Sequence, residues 1–211
     1  MARLNVNPTR MELKKLKARL KTAVRGHKLL KDKSDEMIRR FSVIIRQNKA
    51  LREEVEASMG DMLKQFSVAR ALTGAEVVEQ AFSMPTSPMT IECGTGNIMG
   101  VDVPEISVTE GERTVKFPYS FAGHTSEADA SVDMLISLMP KLVKLAETEK
   151  TVRLLAEEIE RNKRRVNALE YVMIPQLEET IKYITIKLDE NERGALARLM
   201  KVKDMLAQEQ I

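Results

Sequence analysis

The residues from 7 to 33, NPTRMELKKLKARLKTAVRGHKLLKDK, include ten lysines and arginines. Such a run can neutralise nucleic-acid phosphate, meet an acidic protein surface, or keep a long helix solvated. Binding of single-stranded nucleic acid calls for aromatic residues to stack on bases, and none is interleaved here. The chain as a whole is also balanced, at 34 basic and 31 acidic residues, so no nucleic-acid partner is expected. No other pattern organises chemistry. His27 and His124 lie in different settings, and neither has metal-ligand spacing. Glu178, Glu179, Asp189, Glu190 and Glu192 fall on a helical surface without a cleft to desolvate them. Gly94, Gly96 and Gly100 give G-x-G-x-x-x-G, one residue too many for a dinucleotide loop and with no helix after it, and no G-x-x-x-x-G-K-[ST] loop occurs. Cys93 is the only cysteine, which excludes an internal disulfide and fits a reducing compartment. The expectation is a non-catalytic chain without metal or cofactor. Its longest uncharged stretch, QAFSMPTSPMTI, is far short of the ~20 apolar residues that span a bilayer and holds two prolines. The first ten residues lack an apolar signal region. Direct membrane insertion is therefore not expected, and the location implied is cytoplasmic.

The elements that carry these residues are long helices. A composition of 43% apolar residues, 4% aromatics and abundant Leu, Met, Glu, Lys and Arg favours helices over a packed sandwich. Steps of three and four from Leu13 reach Leu16, Leu20, Ala23, His27, Leu30, Ser34, Met37, Phe41, Ile44, Asn48, Leu51, Val55, Ser58 and Met62, an unbroken heptad seam. All fifteen lysines and arginines from Arg10 to Arg52 fall off it. Asn7 or Thr9 can cap this helix, with Pro8 in a first-turn position and Glu12 completing a capping box. It is expected to run to about Ala81, with Gly26, Gly60 and Gly74 as interruptions. Residues 83–123 hold four of seven prolines and five of nine glycines. The runs MTIE, EISV and RTVKFPY, separated by GTGNIMG and TEGE, predict a small β-hairpin insertion. A second helix begins near Thr125 or Ser126 and continues to about Gln208. Its seam passes through Leu138, Leu142, Leu145, Val152, Leu155, Ile159, Asn162, Val166, Leu169, Met173, Leu177 and Ile184. Pro175 should kink it, and Pro140 offers a second irregularity. The fold class expected is mainly α, a long antiparallel two-helix coiled coil with a β-hairpin between its arms. It reads as an N-terminal helix over 1–82, an insertion over 83–123 and a C-terminal helix over 124–211. Flush ends pair residues whose numbers sum to 210–212, which makes Asn48 and Asn162 a polar register layer.

Three stretches resemble successive blocks of one family. PTRMELKKLKARLKTAVRGHKLLKDKSDEM, NIMGVDVP and NALEYVMIPQLEETIKYITIKLDENERGALARLMKVK occur in its order. The family is that of the D subunit, the central stalk of the rotary vacuolar and archaeal-type (V/A-type) ATPases. The resemblance implies a rotor axle coupling ATP hydrolysis or synthesis to rotation of a membrane ring and to proton or sodium transport. It implies as partners the catalytic and non-catalytic A and B subunits of the ring, the small F subunit of the stalk and the membrane-side funnel subunit (C/d), with the chain peripheral to the membrane. A prefoldin-like coiled-coil chaperone and a basic nucleic-acid-binding arm are the alternative readings. Residues 10–33 carry ten bases and two acids, whereas residues 53–81 carry two bases and six acids. Unlike charge at the two ends calls for unlike partners. The expected ring contacts are Arg10, Lys14, Lys17, Lys21, Arg198 and Lys201, with Met200, Met205 and Leu206 as an apolar tip.

Overall fold

The computed structural model describes residues 4–83, 89–111, 119 and 126–209. Two long helical stretches flank a two-stranded antiparallel sheet: α1 (Arg10–Thr73), α2 (Ala75–Ala81), β1 (Met89–Ile98), β2 (Val101–Glu110), α3 (Ser126–Ala168), a π-helix (Leu169–Met173) and α4 (Ile174–Glu209). His124 and most of the RTVKFPY run lie outside the described residues.

Thr9 starts α1, its hydroxyl accepting the Glu12 N–H at 3.2 Å and its carbonyl the Leu13 N–H at 3.0 Å. Only half of the capping box forms. Glu12 instead accepts from Lys15 Nζ at 2.8 Å, and the Thr9 N–H goes to the Asn7 carbonyl. With Thr9 as the cap, Pro8 precedes the helix rather than occupying its first turn. Gly26 and Gly60 continue the helix, while Gly74, at φ 91, ends α1. At such a φ a Cβ is strained, so glycine is the residue that can separate α1 from α2.

The chain forms two compact units, Met1–Glu36 with Glu160–Ile211, and Met37–Ile159. In the first, α1 and α4 pack antiparallel around Leu16, Leu177 and Ile184, with Leu4, Leu13, Leu20, Ile181 and Leu188 against them. Burial of each such side chain contributes ~1.5–3 kcal/mol. Residues 4–9 lead into α1, and the Leu4 N–H donates to Thr180 Oγ1 at 3.2 Å. Thr180, buried, passes its own hydrogen to the Gln176 carbonyl at 2.6 Å, so its hydroxyl is satisfied twice.

In the second unit Met37, Val55, Leu138 and Leu155 are buried. Asn48 Nδ2 donates to Thr148 Oγ1 at 3.3 Å, which corrects the expected Asn48 and Asn162 layer. Thr148 precedes Asn162 by fourteen positions. Asn162 is itself buried and accepts from Arg165 at 3.4 Å. Flush ends are the wrong premise, because α4 outlasts α1: Arg10 pairs with Glu192, leaving residues 193–209 beyond it.

The π-helix immediately precedes Pro175. Proline has no N–H to donate and its ring crowds the carbonyl four residues back. A wider turn relieves the crowding and adds a residue to the helix at that point. The inserted residue shifts the seam, so Met173, expected inside it, is 49% exposed, while Leu177 is buried. Pro140, by contrast, sits within an uninterrupted α3.

The hairpin turns at Met99 and Gly100, with φ 56 and 87. Two positive φ values define a type I′ turn, whose twist suits adjoining strands. Asn97 secures it, accepting the Gly100 N–H and donating to Asp102, each at 2.9 Å. The strands run through the glycine stretch expected to separate them, and they pair continuously from Met89 with Glu110 to Ile98 with Val101.

Candidate docking surfaces

Arg10, Lys14, Lys17 and Lys21 recur at four, three and four residues, which aligns them on one face of α1. All are exposed. Arg10 is held by Glu192 yet stays 79% exposed. Among the described residues, Lys14, Lys17 and Lys21 have no acidic partner. Arg198 and Lys201 are exposed on α4, Arg198 donating to the Gly194 carbonyl at 3.2 Å. Across the first unit there are 21 basic and 13 acidic residues, against 13 and 18 in the second.

Past Glu192, no helix among the described residues of its own unit lies beside α4. Met200, Met205 and Leu206 are 68%, 49% and 56% exposed, and Leu196, Leu199 and Val202 are exposed with them. Residues 196, 199, 202 and 206 keep helical spacing, so the apolar stripe is wider than the expected three-residue tip. The sequence displays that spacing but not the position at which α1 ceases to cover α4. A lone helix of some 17 residues is marginal in water. Its stripe therefore favours a binding partner.

A second apolar region of this unit lies at the π-helix. A groove of about 660 Å³ is lined by Leu4, Ala18, Ala23, Leu169, Met173 and Leu177. His27 Nε2 lies 3.3 Å from Glu170 Oε2 there, which ties α1 to the π-helix. Sequence periodicity misses the exposure of Met173, which it puts on the seam, because it counts only regular turns; Tyr171 and Val172, off the seam, are exposed beside it.

The second unit offers a different surface. Phe66, Phe82 and Tyr119 form successive edge-to-face contacts with centroids 5.9 and 5.8 Å apart. A groove beside them is lined by Met62, Leu63, Phe66, Phe82, Val132 and Leu135. Glu54 accepts from Lys141 at 2.6 Å, and Arg52 lies 3.5 Å from Glu149, so ion pairs bridge α1 and α3 on the outside of the seam. Exposed pairs contribute little to stability, ~0–1 kcal/mol each.

No group of three or more His, Cys, Asp or Glu positioned to hold a metal occurs among the described residues. None of their helices is long and apolar enough to cross a membrane.

Comparison with known proteins places these surfaces in a family context. The family model for the ATP synthase D subunit matches residues 12–204. The chain is 54% identical to the V-type ATP synthase D subunit of Clostridium novyi (strain NT), covering 100% of this chain and 99% of the relative. It is 52% identical to the protein of that name from Thermoanaerobacter sp. (strain X514), over 98% and 99%, and 51% identical to that of Clostridium botulinum (strain Alaska E43 / Type E3), over 99% of each.

Proposed function

The chain belongs to the ATP synthase D-subunit family, and we propose that it is the central rotor axle of a V/A-type ATPase or ATP synthase. In this reading it is a non-catalytic component peripheral to the membrane, coupling nucleotide turnover in a ring of A and B subunits to rotation of a membrane ring and to proton or sodium transport. The F subunit and the funnel subunit (C/d) bind its more acidic unit. The observation that carries the reading is the C-terminal part of α4, which extends past its helical partner with an exposed apolar stripe and basic neighbours. A helix built this way suits insertion into a sleeve whose apolar wall covers the stripe and whose acidic loops meet Lys14, Lys17, Lys21 and Lys201. Two unlike helices also lack threefold symmetry. Within a threefold ring they present a different face to each catalytic interface, and such differential contact can bias the affinity of each site in turn.

The test is replacement of Lys14, Lys17, Lys21 and Lys201 by Gln. Affinity for the A and B ring should fall at low salt, and the difference from the parent should shrink as salt screens the charges. Binding of the F subunit should be unchanged. Ring affinity equal to the parent at low salt would remove the assignment of the basic end to the ring.

A further inference from the structure

Between residues 89 and 111 the hairpin carries four carboxylates and no lysine or arginine. Its strands have different surroundings. In β2 Val103 is 6% exposed, and Val101, Pro104, Ile106 and Val108 are half-buried. Val103, Pro104 and Glu105 line one hollow with Ile44 and Gln47 of α1 and Thr148 and Thr151 of α3, all within the second unit, and Gly96, Asn97 and Ile98 at the turn end of β1 reach the same hollow. The hairpin therefore meets the helices through β2 and the turn end of β1. In β1 every residue from Thr90 to Thr95 is exposed, Ile91 by 50%.

The turn determines which backbone groups of β1 face away from β2. A two-residue type I′ turn makes its flanking residues, Ile98 and Val101, a hydrogen-bonded pair, and the pairs alternate from there along an antiparallel ladder. Gly96 with Val103, Gly94 with Glu105 and Glu92 with Ser107 are then bonded pairs by register. Asn97, Thr95, Cys93 and Ile91 belong to the pairs in between. Their N–H and C=O groups point to the outer edge, where no strand among the described residues meets them. Pro104, opposite Thr95, occupies a position of the same kind on β2, where its missing N–H costs no ladder bond and blunts that edge.

Sheet edges are ordinarily blunted by proline, by lysine or by a short strand. β1 is ten residues long, has neither residue and carries one charge, Glu92. From this contrast we propose that the outer edge of β1 takes an extended segment of another protein of its assembly as a third strand, bonded through Ile91, Cys93, Thr95 and Asn97, and that the segment carries lysine or arginine beside its pairing stretch. Main-chain bonding to an exposed edge is a recurrent recognition mode. The sign of the partner follows from Glu92, Asp102 and Glu105, which would set like charges together if two copies of this chain paired edge to edge. The proposal rests on the chain being one component of a larger complex.

Amide-resolved hydrogen exchange tests it, comparing the full chain alone with the chain in the purified ATPase assembly. The four outward amides should exchange at least tenfold more slowly in the assembly. Equal rates in both, or protection already present in the chain alone, would overturn the proposal. The variant Thr95→Pro removes one outward donor without touching a ladder bond, and should weaken assembly at least tenfold while Thr95→Val does not. Parent-like assembly of Thr95→Pro would count against the edge. Sedimentation showing a dimer of the chain alone that Thr95→Pro dissociates would assign the edge to a second copy instead. If the parent chain co-purifies with the ring yet leaves these amides unprotected, only the strand proposal falls; failure to co-purify removes the axle reading itself.

Discussion

Tyr119 donates to Asp129, near the start of α3, at 2.7 Å, and packs edge-on against Phe82. Burial first, and then the bond to Asp129, push its phenol well above the ordinary range. A phenol with a raised folded pKa favours folding while it is neutral in both states. That contribution is complete below the unfolded value of about 10 and is lost as pH climbs from there toward the folded pKa. Tyr119→Phe should therefore flatten the alkaline fall in stability, which denaturant unfolding followed from pH 9 to 11 would show as a smaller slope than the parent's. Met99 is the other residue held by its surroundings, a side chain at positive φ that the Asn97 bonds fix in place. Both depend on a polar side chain, Tyr119 or Asn97, meeting a carboxylate or backbone group, and neither contact is apparent from residue types alone.

At the scale of elements, the heptad seam of α1 is legible throughout. Every position chosen from Leu13 to Met62 is buried or half-buried, because a two-helix interface must recur every 3.5 residues to stay covered. Register is not legible in the same way, since shifting one helix by whole turns leaves both seams intact. The Asn48 to Thr148 bond and the Glu54 to Lys141 pair decide it within the second unit. With Cys93 changed to Ser, cysteines at 48 and 148 should crosslink under mild oxidation, whereas cysteines at 48 and 162 should not. Non-reducing electrophoresis reads the outcome, and the reverse pattern would restore the flush-ended register. The π-helix belongs to this scale too: Pro175 announces an irregularity, but whether the helix bends or inserts a residue depends on what the wider turn packs against.

For the whole molecule, the end of α4 separates folding from assembly. Residues 195–206 are exposed, so they add little to the paired helices. Ending the chain at Gly194 should leave unfolding stability within ~1 kcal/mol of the parent, as surface changes usually do. The same truncation should reduce affinity for the A and B ring at least tenfold, measured by co-purification and by surface-immobilised binding. A large loss of stability instead would mean that the tip folds back onto the helical pair. Charge acts at this scale as well, since 21 bases and 13 acids on one unit against 13 and 18 on the other make the two units complementary to surfaces of opposite sign.

Helix periodicity, the hairpin insertion, the off-seam placement of the bases and the family blocks are properties of local order, and the sequence alone determined them. Apolar spacing and turn residues act over a few positions, so reading neighbours is enough. The partner of Asn48, the exposure of Met173, the reach of α4 beyond Arg10 and the outward edge of β1 depend on residues far apart in the chain. Each is a comparison between arrangements that satisfy the same local pattern, and only packing, through polar groups that must be paired and apolar surface that must be covered, separates them.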